Sequence, residues 1–225
     1  MNTAAKPVAA PDTGFNLVRR AGPQRFSKVL ITGVGRSGTT AVAAIFHSLG
    51  FHLGDAPVVH LHEDVAFRRL LLHGDAAALA DALQAWSSRH AAVAWKDPKI
   101  YAAASGPFMD LMPDDWLVIG VLRDPLAVAQ RRAYSDGADL LPTAHAVARF
   151  QMKLLSFLQS VRHTVGLVSY ERFIVDPEPT LAGLLAVLDL PRPPPALPAL
   201  RAEVLSQRDT YRQNTIPNLN ERATT

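Results

Sequence analysis

The chain of 225 residues contains no cysteine. That removes disulfides, thiolate metal sites and thiol redox chemistry, and leaves histidines and carboxylates as the only side chains able to bind a metal. Runs of about eighteen apolar residues, the length a membrane helix needs, are also missing. The first residues, MNTAAKPVAAPDTGFNLVRR, lack the uninterrupted apolar stretch of a secretory signal. The expectation is a cytoplasmic protein without a membrane span. No block of like charge occurs either. Lys and Arg number 23 against 20 Asp and Glu, a formal charge of +3, and the cations are scattered. Such a balance argues against a nucleic-acid face and suits a small anionic ligand.

An apolar content of 48% over this length can close one substantial core. Residues 1–26 are rich in Ala, Pro and Gly without periodicity and read as a flexible arm. The domain is expected over 27–200. It closes at LPRPPPALP, which proline forces into extended conformation, and residues 201–225 form a C-terminal tail. Within the domain four short apolar runs, KVLIT, AAVAW, WLVIGVL and VGLVS, are each followed by polar residues, as buried parallel strands are. Helical spacing fills the intervals: after the glycine loop up to Gly50, over 63–89 in two pieces broken at HGD, and over 125–136, 143–163 and 177–189. Strands alternating with helices predict a single doubly wound α/β domain with a central parallel sheet.

The segment ITGVGRSGTTAVAAIF, Ile31 to Phe46, carries the chemistry. Gly33, Gly35 and Gly38 satisfy G-x-G-x-x-G, with Asp55 about twenty residues on, where a dinucleotide fold places its ribose-binding acid. Asp55 follows Gly54 in a stretch that reads equally well as a turn. The triphosphate pattern G-x-x-x-x-G-K-[ST] fits at Gly33, Gly38 and Thr40, but Thr39 stands where the lysine belongs. Without that lysine, what remains is a turn of backbone N–H groups at a helix start, the hydroxyls of Ser37, Thr39 and Thr40, and Arg36. This set suits a phosphate with less charge than a triphosphate chain. Both threonines also suit plain helix capping.

In this order GRSGTT, WKDPK (95–99), VLRDPLAVA (121–129) and YERFIVDPEPTLAGLLAVLDL (170–190) resemble the sulfotransferases that use 3'-phosphoadenosine 5'-phosphosulfate. The resemblance implies a P-loop-like fold, that donor with 3',5'-adenosine bisphosphate as product, and transfer of a sulfuryl group to a hydroxyl or amine. The travelling SO3 group carries less charge than a phosphoryl group, so positioning, a cation and a base are enough, and no metal is required. By resemblance, Gly35, Ser37, Gly38, Thr39 and Thr40 hold the 5'-phosphate, Arg36 meets the leaving oxygen, Arg123 the 3'-phosphate and Tyr170 the adenine. Arg131 occupies the place of a serine that usually completes the 3'-phosphate site; Ser135 offers another hydroxyl nearby. The chain has no clear copy of the glycine-rich C-terminal segment that completes the site in some relatives, where Arg201, Arg208 and Arg212 offer charge instead.

For the catalytic base, HLHEDVAF offers Glu63 first, since relatives have a glutamate opening the next helix, and His62 second. His60 and His62 lack a third metal ligand in register. Lys96 and Lys99 end a strand facing the same crevice and suit an anionic acceptor, whether small molecule, glycan or lipid. For Asp124 and Pro125 the expected roles are an N-cap and a first helical position. Two other classes stay open: a small-molecule kinase using ATP, and a non-catalytic nucleotide-binding protein of the same fold.

Overall fold

The computed structural model describes residues 13–21, 25–55, 57–58, 62–102, 106–190 and 202. The four apolar runs form strands β2 (Lys28–Gly33), β5 (Val93–Lys96), β6 (Trp116–Leu122) and β7 (Thr164–Ser169). These four are parallel to one another. A further strand, β1 (Phe15–Arg19), lies antiparallel against β7, so the sheet runs β1-β7-β6-β2-β5. This corrects the expected arm at 1–26: residues 15–19 are part of the domain. Phe15 is what holds them. A Cβ added at Gly166 would stand 2.6 Å from its ring, and one at Gly183 would stand 2.8 Å away, so two glycines make room for it.

Eight helices complete the described fold: α1 (Thr39–Ser48), α2 (Val65–His73), α3 (Ala76–Ser87), α4 (Gly106–Leu111), α5 (Pro125–Asp136), α6 (Leu140–Ser160), α7 (Tyr170–Val175) and α8 (Pro177–Val187). The break at HGD is real: Gly74 takes the left-handed conformation (φ 72) that ends α2, and the Asp75 side chain caps α3. Asp124 caps α5 through Leu126 N, with Pro125 opening the helix as expected. A two-stranded ribbon pairs β3 (Pro57–Val58) with β4 (Glu63–Asp64). The arginines expected to matter at 201, 208 and 212 lie outside the described residues, as does His60.

Alternation along the strands divides the core into two layers, because neighbouring strand residues point to opposite faces. Val29, Ile31, Leu117 and Ile119 join Val42 and Phe46 of α1, Phe173 of α7 and Leu184 of α8 on the first face. Leu30, Val118 and Trp95 join Phe67 of α2, Leu83 of α3, Val128 of α5 and Leu154 of α6 on the second. Each such aliphatic or aromatic side chain contributes about 1.5–3 kcal/mol through burial. The chain leaves β2 towards β5 and returns to β6 on the other side of β2, so the crevice above β2 and β6 is the switch point where ligands of doubly wound sheets lie.

Candidate functional site

A tight turn follows β2, closed by the Ser37 amide donating to Val34 O at 2.8 Å. Arg36 takes a left-handed backbone (φ 76), unusual for a residue with a side chain, and Gly38 follows at φ 95. Gly38 is the N-cap of α1 and no side chain caps the helix, so neither threonine plays the capping role its type suits. The first-turn amides of α1 open instead onto a cleft of about 630 Å³. Gly35, Arg36, Gly38, Thr39 and Thr40 line it. Ser37 does not. It is 1% exposed, and its Oγ has no hydrogen-bond partner among the described residues.

Strand ends bring in the rest. Lys96 and Lys99 arrive from β5, Arg123 from β6, Tyr170 from the end of β7, Arg131 from α5, and Glu63 from the β4 ribbon. Arg123 is 4% exposed and donates from Nη1 to the carbonyl of Arg36 at 2.7 Å. Its guanidinium also lies 5.0 Å above the Tyr170 ring, and Gln151 donates to its carbonyl. The buried arginine therefore fixes the loop from the neighbouring strand.

Four charges form a chain at the opposite side of the cleft. Lys96 Nζ donates to Thr40 Oγ1 at 3.0 Å and to Glu63 Oε1 at 2.9 Å. Arg68 Nη1 reaches Glu63 Oε2 at 3.1 Å and Asp97 Oδ2 at 3.2 Å. Asp97 Oδ1 accepts from the Lys99 amide at 2.7 Å. Burial pushes the Lys96 ammonium below its ordinary pKa, and the Glu63 contact opposes that. Burial likewise pushes the Asp97 carboxyl up, against the pull of Arg68. Glu63 precedes the helix rather than opening it: Asp64 is the N-cap of α2, accepting from Ala66 N and Phe67 N. Sequence reasoning missed Arg132 and Phe150, which line the cleft, and Arg68 and Asp97, which extend the ion-pair chain from Glu63.

His62 is not brought to this site. Its backbone is left-handed (φ 55), and it lines a second cavity of about 640 Å³, its ring 5.8 Å from that of His47. Asp55 is also elsewhere, paired with Arg89 and beside His52 and His90, so the dinucleotide reading loses its ribose-binding acid. His52, Asp55 and His90 bring three ligand atoms within 4.8 Å of one another. The two imidazoles, however, stack at 3.8 Å with planes 10° apart, which sets their lone pairs side by side instead of converging on one ion.

No protein-family model matches the sequence, and no curated protein matches it. Among solved structures the chain is similar to the sulfotransferase domain of the olefin synthase from Synechococcus PCC 7002. The identity is 17% over 88% of this chain and 96% of that domain, with a TM-score of 0.52. Sulfotransferase STF9 from Mycobacterium avium aligns at 12% identity over 84% of this chain and 69% of its own, with a TM-score of 0.47. The chain thus has the fold of sulfotransferase domains, as the order of its motifs implies. Among the described residues no helix is long and apolar enough to cross a membrane.

Proposed function

We propose that the protein is a sulfotransferase that moves a sulfuryl group from 3'-phosphoadenosine 5'-phosphosulfate to a hydroxyl or amine. The observation that carries this reading is the placement of Arg123: its buried guanidinium is bonded to the loop it faces, so two anion-binding features on separate strands open into one cleft. A donor with a 5'-phosphosulfate and a separate 3'-phosphate needs two such features on one ligand. The glycines fit it too, since a Cβ at Gly33 would lie 2.5 Å from Ser37 Oγ and 2.8 Å from Thr39 Cγ2, and would distort the loop that must wrap around an anion.

Loop amides, Thr39 and Thr40 hold the 5'-phosphate, and Arg36 faces the oxygen that leaves with it. Arg123, with Arg131 beside it, meets the 3'-phosphate, and Tyr170 borders the adenine. The acceptor oxygen bonds to sulfur as the bond from sulfur to the phosphate oxygen breaks, and Glu63 takes the acceptor's proton. Lys96 and Arg68 hold the two oxygens of that carboxylate in place. Lys99, exposed at the rim, meets the acceptor.

A kinase reading draws support from one contact, since Lys96 brings an ammonium to Thr40, supplying from β5 the cation that Thr39 does not provide. Against it, Lys96 and Arg68 already neutralise Glu63 and Asp97, so these carboxylates offer a magnesium ion little net charge, whereas each Glu63 oxygen keeps a lone pair for a proton. Thermal stabilisation by 3',5'-adenosine bisphosphate, ATP and NAD on the wild type and Thr39→Ala separates the readings. The bisphosphate is expected to raise the melting temperature most, and Thr39→Ala to reduce that rise. A larger shift with ATP or NAD rejects the sulfotransferase reading.

A further inference from the structure

Resemblance points to Arg131 and passes over its neighbour, Arg132. We infer that Arg132 holds the sulfuryl end of the donor, an inference that rests on the sulfotransferase reading above.

Its position is against the anion loop itself. A Cβ added at Gly35 would lie 3.1 Å from Arg132 Nη2, so the guanidinium sits on the loop's backbone, and the absence of a side chain at residue 35 is what lets it come so near. The head group is also held. Its central carbon stands 5.4 Å from the centre of the half-buried Phe150 ring on α6, within cation–π range.

Charge sets it apart from Lys96, Arg68 and Arg123. Lys96 and Arg68 are committed to Glu63 and Asp97, and Arg123 Nε stands 3.9 Å from Glu171. Arg132 forms no ion pair with a carboxylate among the described residues. A cation in a cleft, fixed by an aromatic face and held in no ion pair among the described residues, is placed for a ligand anion.

The two layers of the core say which anion. Tyr170 belongs to the first layer, with α1, whereas α5 packs into the second through Val128 and Ala129, as α2 does through Phe67 and Leu71. Glu63, two residues before α2, and Arg132 therefore bound the cleft on one side of the sheet and Tyr170 on the other. With the adenine at Tyr170 and the 3'-phosphate at Arg123, the end that faces Glu63 is the sulfuryl group. Arg132 takes no proton in the transfer. It orients the SO3 oxygens while the acceptor oxygen bonds to sulfur and the bisphosphate departs with the electron pair of the broken bond.

The test needs no knowledge of the acceptor. Titrate 3',5'-adenosine bisphosphate, 3'-phosphoadenosine 5'-phosphosulfate and AMP into the wild type, Arg132→Met, Arg132→Lys and Arg123→Met, without any acceptor. Expected is a wild-type preference for the phosphosulfate over the bisphosphate that falls about tenfold in Arg132→Met and is partly kept in Arg132→Lys, with bisphosphate affinity unchanged. Arg123→Met should instead lose the preference for the bisphosphate over AMP. Unchanged bisphosphate binding also shows that the Arg132 variants are folded. Equal weakening of both ligands in Arg132→Met overturns the inference, because it assigns the residue to the nucleoside or the 3'-phosphate. So does a wild type that binds the bisphosphate yet does not distinguish the phosphosulfate. A wild type that prefers AMP to the bisphosphate refutes the sulfotransferase reading itself, and this inference falls with it.

Discussion

The Tyr170 ring lies so close to Gly38 that a Cβ at that glycine would stand 2.1 Å from two ring carbons. Gly38 is also the left-handed residue that launches α1. One glycine thus lets the loop turn and lets the aromatic from β7 cover it. Gly38→Ala is expected to destabilise the protein by about 2–4 kcal/mol, combining left-handed strain with a forced shift of a buried ring. Urea unfolding measures this. A loss below about 1 kcal/mol would mean that the ring moves freely, and the contact would not be structural.

Gly35 makes the opposite case with the same residue type. A side chain there meets the far end of a flexible arginine and not a buried ring, and its backbone is not left-handed. Gly35→Ala should therefore change stability by no more than about 0.5 kcal/mol while weakening phosphosulfate binding, as displacement of Arg132 requires. Isothermal titration beside urea unfolding separates the two effects. A large stability loss with intact binding would contradict this account.

Glu63 and Lys96 share one ion pair but carry different duties. Glu63→Gln keeps the shape and an oxygen for Lys96, and should lower turnover about a hundredfold or more with little change in stability. Lys96→Met leaves Glu63 to Arg68 alone and removes the donor to Thr40. It is expected to destabilise by about 1–3 kcal/mol, since a partly buried carboxylate loses one of its two cations. Steady-state kinetics and unfolding of both variants decide the point, and full activity in Glu63→Gln would strike that residue from the mechanism.

His163 makes stability depend on pH. The ring is fully buried, with Nε2 3.1 Å from Pro113 O. Burial pushes its pKa below the ordinary value, with the carbonyls of Met112 and Pro113 opposing the shift. His52 shifts in the same direction, by burial and by the stacked His90. Because the folded pKa is depressed, the unfolded chain binds the extra proton first: stability is complete above about pH 6.5 and falls as pH drops below it. The urea midpoint should therefore be lower at pH 5.5 than at 7.5. The slope for His163 alone is bounded at about 1.4 kcal/mol per pH unit, and His163→Gln should flatten it. An equally steep decline in that variant would assign the effect elsewhere.

Much of the scaffold is legible in the sequence because its signals are local. Each buried parallel strand is a continuous apolar run, and the bounds of α5 follow from Asp124, Pro125 and Gly137, which act within a few residues of themselves. Long-range arrangements are not legible in this way. Glu63 meets Lys96 and Arg68 meets Asp97 across about thirty residues of sequence, and no spacing rule announces such a meeting. Counting eight residues from Arg123 reaches Arg131, but the contact with Gly35 belongs to Arg132, because side-chain direction on a helix depends on where the helix packs. His62 carries the right chemistry for a base and the wrong backbone, a left-handed turn that composition alone does not reveal. The helix α7 starts at the residue after β7, leaving no loop to mark it.

The antiparallel strand at 15–19 bears on how the protein must be handled. It occupies the hydrogen-bonding edge of β7, and it is anchored by Phe15, by Thr180 Oγ1 donating to Thr13 O at 2.9 Å, and by Arg19 donating to Val161 O and Gln159 O. A shortened version starting at Ser27, where composition alone would cut, is expected to expose a bare strand beside an apolar hollow and to self-associate through that open ladder, visible as higher-order species on gel filtration. Those five residues, unremarkable to the eye, serve the protein as a built-in guard against sticking to its own copies.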